Sequence, residues 1–310
     1  MIEPIENFCH VGLIHPMAFP EVMKGDGPVL ETLEKILVDD YFSAVEVTWI
    51  KDAKVRAEAA AMMAQAHVDV IFAGQPPLLM QKLDLNAADE AARKQAVDQC
   101  KASVDEAYAI GARIMAVLSG ADPGDAEREA AKGRLVDSLK AICEYAGEKA
   151  NDYLLAVSLE NFDYSIDKRC LIGPTAMAAE VAEAVKAEHS NFGLTIDLSH
   201  LPLLDETPQE IVIASIDHLI HVHIGNCLMG EESHDAYGDQ HPRFGIAGGE
   251  NDVEEVQKFL EALVYGGYFK KNAPTAMPVV SFEIKPLPGE KSEIIIANAK
   301  RVLSEAWAKL

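Results

Sequence analysis

Short runs of β-branched and apolar residues alternate along this chain with longer stretches rich in Ala, Glu and Lys. That alternation predicts repeated strand–helix units around a parallel sheet whose strands are buried on both faces. Eight runs stand out, at residues 8–14, 44–49, 68–73, 113–118, 154–160, 193–197, 219–224 and 279–284. Eight is the number that closes the barrel, so the expected fold class is α/β, a (β/α)8 TIM barrel.

Between the runs, residues 88–110 and 126–146 are the clearest helices, because Ala, Glu, Lys and Leu are strong helix formers. Gly173-Pro174 and Thr207-Pro208 place proline near the first turn of two further helices. Asn251-Asp252 offers an N-cap to VEEVQKFLEAL, and Gly266-Gly267 ends that helix. No linker or low-complexity tract divides the chain, so residues 1–310 are expected to form a single domain. The longest irregular stretch, residues 225–249, follows the seventh run. A loop of that length in a compact domain is usually functional, and in this fold the loops after the strands build the active site.

Candidate chemistry gathers at the ends of the last four runs. LLAVSLENFDY ends its strand at Glu160, an acid that is costly to bury without a partner. GLTIDLSH ends at Asp197, with His200 three residues on. LIHVHIGNC puts His221 and His223 on one strand face, and VVSFEIKP does the same for Glu283 and Lys285. Any one of these has an ordinary structural explanation, a salt-bridge member or a core histidine. Together they place an ionisable group at one height on four consecutive strands. Three carboxylates and an imidazole suit one hard or borderline divalent ion.

The ordered set LEN, DLSH, HVHIGN and FEIKP resembles the sugar phosphate isomerase/epimerase superfamily of xylose isomerase-like TIM barrels, over nearly the whole chain. The resemblance implies that Glu160, Asp197, His223 and Glu283 bind one ion, Mn2+ first, with Mg2+, Co2+ or Zn2+ as alternatives. It also implies that Glu160 and Glu283 move protons and that His200 contacts substrate. Two positions depart from the ketose 3-epimerase branch: Met229 stands where that branch has an Arg, and Ile166 where it has a Glu.

The long loop carries HDAYGDQHPRFGIAGGEND, from which His241 and Arg243 are expected to reach over the mouth and bind substrate. At the other end, His15 closes the first run, Glu46 lies within the second and Trp49 ends it; all three are candidate substrate contacts. Trp49 either stacks on a sugar ring or covers a helix end, and Glu46 is alternatively a polar member of the barrel interior. His10 is given no role, and His67, His189 and His218 are read as structural.

This set supplies a base, an electrophile and an acid for proton abstraction beside a carbonyl, with Lys285 or His200 orienting the carbonyl oxygen. The expected function is a metal-dependent sugar isomerase or epimerase. The alternative is a dehydratase or lyase of the same fold, like inosose dehydratases or the catalytic subunit of a C-glycoside deglycosidase. Apurinic-site endonucleases share the barrel, but VDVIFAG and ARIMAVLS lack the extra histidines their trinuclear zinc site needs. A non-catalytic sugar-binding protein is the remaining reading.

Composition narrows the partners. Asp and Glu number 50 against 27 Lys and Arg, a net charge of -23 that repels nucleic acid and anionic membrane. A hydrophobic content of 49% is ample for a large core. The acidic N-terminus and the lack of an apolar run of membrane-spanning length give the expectation of a cytoplasmic protein. A small sugar or polyol-derived molecule is the expected partner, with a homo-oligomer possible. Five scattered cysteines without a CxxC pair argue against disulfides or a thiolate zinc site.

Overall fold

A computed structural model describes residues 3–163 and 165–310. Eight strands, β1 (His10–Ile14), β2 (Ala44–Val47), β3 (Asp69–Ala73), β4 (Ile114–Leu118), β5 (Ala156–Glu160), β6 (Phe192–Asp197), β7 (Leu219–Gly225) and β8 (Val279–Glu283), form a closed barrel in sequence order. All neighbouring pairs are parallel, and β8 closes on β1. The chain has a (β/α)8 TIM-barrel fold.

The strands lie within one or two residues of the runs read from the sequence. The long helices are Glu90–Ala109 and Arg128–Lys149, and the Thr207-Pro208 and Gly266-Gly267 signals bound Pro208–Ser215 and Val253–Gly266. Gly267 ends the latter helix with a φ of 79°, a left-handed conformation that costs glycine nothing.

The lower interior of the barrel is apolar, filled by Ala44, Ile71, Ile114, Ala156 and Val279. Above them come small polar side chains: Ser158 and Thr195 share a 2.6 Å hydrogen bond, and Ser281 lies against Gly12. A Cβ at Gly12 would sit 2.3 Å from the Ser281 hydroxyl, so a larger residue there would force Ser281 to move. Alternate strand residues such as Val11, Leu13, Val45, Phe72 and Val157 face outward into a second core beneath the helices. Register then fixes the upper layer. Asp197 pairs with His223 and Gly225 with Glu283, so acids and imidazole meet at the C-terminal mouth. No helix among the described residues is long and apolar enough to cross a membrane.

Candidate active site

Ligand atoms of Glu160, Asp197, His223 and Glu283 all lie within 4.8 Å of one another at that mouth. Each ends or nearly ends its own strand, so the barrel's closure brings together residues far apart in the chain. His223 is the hinge of the cluster. Its Nδ1 is 3.2 Å from Glu160 Oε1 and 2.9 Å from Glu283 Oε2, while its Nε2 faces Glu46 at 3.2 Å.

Glu46 is therefore placed beneath the imidazole. It is fully buried, and His221 Nε2 approaches it at 2.7 Å. Burial alone would raise its pKa, but the two histidines outweigh burial and hold the carboxyl well below its usual range. A carboxylate on Nε2 leaves Nδ1 aimed at the acids, the arrangement by which proteins orient a metal-binding histidine. His223, paired with Glu46 and Glu160, is correspondingly raised well above an ordinary histidine in spite of its burial.

Two features of the cluster fit a divalent cation. Asp197 Oδ1 accepts a 2.8 Å hydrogen bond from the Ser199 amide, whereas Oδ2 is buried without a hydrogen bond, its nearest imidazole nitrogens being His241 Nδ1 at 3.7 Å and His200 Nε2 at 4.0 Å. A buried carboxylate oxygen without a hydrogen bond is suited to meet a cation. Burial accordingly pushes the Asp197 carboxyl up, with Glu283 adding repulsion against the pull of His200. The donor set is three oxygens and one nitrogen, suited to Mn2+, Mg2+, Co2+ or Zn2+.

A second layer surrounds these four. Gln75, at the start of the helix Gln75–Gln81 after β3, donates from Nε2 to Glu160 Oε2 at 2.6 Å. His200 Nδ1 meets the Asn161 carbonyl at 2.8 Å, and its Nε2 is 3.1 Å from Asp239 Oδ1. The same Asp239 oxygen is 2.9 Å from His241 Nε2, and Lys168 Nζ lies 3.0 Å from its other oxygen. Burial disfavours charge on the two histidines, yet Asp239, with Asp197 and Glu160, pushes His200 up to about 10, and Glu283 with Asp239 pushes His241 up to about 9. Asp197, His200 and His241 form a second convergent trio of donors, and Glu46, His221 and His223 a third.

The mouth opens into a cavity of about 230 Å³ lined by Glu160, His223, Glu283, His241, Asp239 and Gln240. Lys285 also lines it, with Nζ 3.2 Å from Gln240 Oε1. His241 is held in a left-handed conformation, φ 50°, and its carbonyl accepts from the Lys285 amide at 2.7 Å. Strain of this kind persists only where the surroundings enforce it, and it clusters at functional sites.

Other candidate residues are placed elsewhere. Arg243 does not reach the cavity: its carbonyl is held by Asn226 Nδ2 and its Nε pairs with Glu290 at 3.0 Å. Trp49 lies outside the lining as well, donating from Nε1 to the Met23 carbonyl and packing on Gly25, so it covers the backbone behind the cavity wall. His15 is buried against Thr32, 2.7 Å from its hydroxyl. His200 is enclosed under Phe162, with ring centroids 4.5 Å apart. Met229 and Ile166 do not line the cavity either. Cys227, at the foot of the long loop, is buried and its thiol is pushed up by burial.

Gln75, Lys168 and Asp239 were not singled out as site residues by the sequence reading. Gln75 is a polar residue directly after a strand, which is a usable signal. Lys168 and Asp239 meet only because two loops cross over the mouth, and no spacing announces that.

The model of the xylose isomerase-like TIM barrel family matches residues 38–274. The chain belongs to this family. No curated protein sequence matches it significantly. Several solved structures share its fold. An L-ribulose 3-epimerase is 17% identical, covering 97% of this chain and 96% of its own, with a TM-score of 0.70. The IOLI protein, solved with a binding zinc atom, is 15% identical over 97% and 98%, with a TM-score of 0.72. The 3-keto-D-glucoside 4-epimerase YcjR of E. coli is 16% identical over 96% and 99%, with a TM-score of 0.64.

Proposed function

We propose that this protein is a divalent-metal-dependent sugar isomerase or epimerase, with Glu160, Asp197, His223 and Glu283 as the metal ligands. The observation that carries the reading is the convergence of the four donors, among them the buried Asp197 Oδ2, which has no hydrogen bond. Sugar epimerases among the proteins of like fold, and the zinc atom of the IOLI protein, support it. Mn2+ is the first choice of ion.

When bound, the cation supplies Lewis acidity and charge neutralisation to an oxygen of a keto sugar. The protein's own groups do the rest. Glu283 is the more open of the two glutamates to the cavity, with 13% of its side chain exposed, and suits removal of the proton beside the carbonyl. Glu160, held by Gln75 and nearly inaccessible, suits its return. Lys285 Nζ, at the cavity lining, suits orientation of a substrate oxygen, and His241, between Asp239 and Glu283, adds positive charge beside the proposed base.

Elimination of water or of an aglycone begins with the same proton abstraction and forms the second reading. It is favoured by Met229 and Ile166, which stand where the resemblance to ketose 3-epimerases calls for a substrate-gripping Arg and Glu.

The test is incubation of the Mn2+-loaded protein in D2O with a panel of ketoses, keto-inositols and 3-keto-glycosides, read by NMR. Deuterium entering beside the carbonyl together with an isomer or epimer supports the first reading. Release of water or aglycone without an isomer supports the second. No exchange with any member overturns both.

A further inference from the structure

The lining of the cavity is uneven. Most of its polar part, the floor, comes from β5, β7, β8 and the segments after them, whereas the segments after β1 and β3 contribute an apolar wall of Met17, Met23, Pro76, Leu79 and Met80. Leu79 and Met80 are 42% and 41% exposed, adjacent to each other and turned to the cavity. They belong to the same short helix, Gln75–Gln81, whose first residue holds Glu160. Part of the wall and the side chain that holds Glu160 therefore share one short helix, with prolines in its first turn and a left-handed Lys82 at its end.

A free monosaccharide carries hydroxyls all round its ring. Seated on the floor, it would press some of them against this wall, which gives them no hydrogen-bond partners, and a buried unpaired hydroxyl is costly. A ligand with one polar end and one apolar end matches the division. Three methionines add a property of their own, since their unbranched thioethers adapt to differently shaped apolar groups.

We propose that the substrate is a glycoside-like molecule whose sugar sits on the floor and whose flat apolar aglycone packs against this wall. The proposal rests on the sugar-directed reading of the site and goes beyond it by naming the substrate class. The aglycone makes no contact with the proton-transferring glutamates. It is recognised by burial alone, so the site tolerates a range of aromatic groups and gives up much of its affinity when the aglycone is reduced to methyl.

Isothermal titration of the Mn2+-loaded protein with methyl and phenyl β-D-glucopyranosides, neither of which carries the carbonyl the reaction needs, measures this without turnover. The phenyl glycoside is expected to bind about tenfold more tightly or better, the gain due to burying one ring. In the Leu79→Ser/Met80→Ser double variant that ratio falls to about twofold or less on loss of the same apolar area, and affinity for the methyl glycoside is unchanged. Both substitutions are at exposed positions, so the barrel core is left intact. Equal affinities, no measurable binding of the phenyl glycoside, or a ratio that survives the double variant would overturn the proposal. A phenyl preference without deuterium exchange on any keto sugar would sink the proposed reaction and leave the aglycone wall standing.

Discussion

At the scale of single residues, Glu46 is the side chain whose placement most changes its meaning. The sequence offered it as a substrate contact or a polar member of the interior. In the structure Glu46 borders the cavity, yet both of its oxygens are engaged by His221 and His223, which makes it the partner that orients the imidazole above it. Glu46→Gln keeps the shape but removes the charge that orients His223. It is expected to weaken Mn2+ binding by about 10–100-fold, measured by competition with a chelator, with a much smaller change in the fold. His15 carries a different prediction. Burial holds its pKa down at about 3, whereas an unfolded histidine titrates near 6.5. Below pH 6.5 the unfolded chain binds the proton that the folded one refuses, so stability falls as pH drops from 6.5 toward 3. At pH 5 this amounts to about 2 kcal/mol. Urea titrations at pH 7 and pH 5 should show that loss reduced in His15→Gln. The four proposed ligands could be picked out because each lies at or near the end of a strand, where period-two alternation fixes the direction of a side chain. Arg243 was misjudged because its direction is set by Asn226 and Glu290, partners that sequence spacing does not reveal.

At the scale of elements, the long stretch after β7 is tied down by two asparagines. Asn226 accepts from the Asn251 amide, and Asn251 donates to the carbonyls of Leu198 and Gly225 at 3.2 and 3.0 Å. These bonds hold the loop that brings Asp239 and His241 over the mouth. Asn251→Ala leaves two buried carbonyls without that donor and is expected to cost about 2 kcal/mol. Differential scanning calorimetry reads the cost, and limited proteolysis should find new cleavage between residues 228 and 245. The strands were legible because fully buried parallel strands are nearly continuous apolar runs. The loop was legible only as a length. Its path depends on long-range bonds such as Lys168 to Asp239, which join segments 71 residues apart and leave no local pattern.

At the scale of the whole molecule, barrel closure determines the chemistry, since no two of the four proposed ligands come from the same strand. The surplus of acid, a net charge of -23, favours the approach of divalent cations to the molecule as a whole. An ion that binds only the folded barrel also stabilises it. At 100 times its dissociation constant the gain is about 2.7 kcal/mol, which for a chain of this size raises Tm by about 4 °C. Asp197→Ala should abolish that rise, as followed by thermal unfolding with and without Mn2+. The most direct measurement is the anomalous difference density of crystals grown with Mn2+. The account predicts one peak per chain, within bonding distance of Glu160, Asp197, His223 and Glu283. A peak elsewhere, or no peak at those four side chains in a protein that turns over substrate, would contradict it.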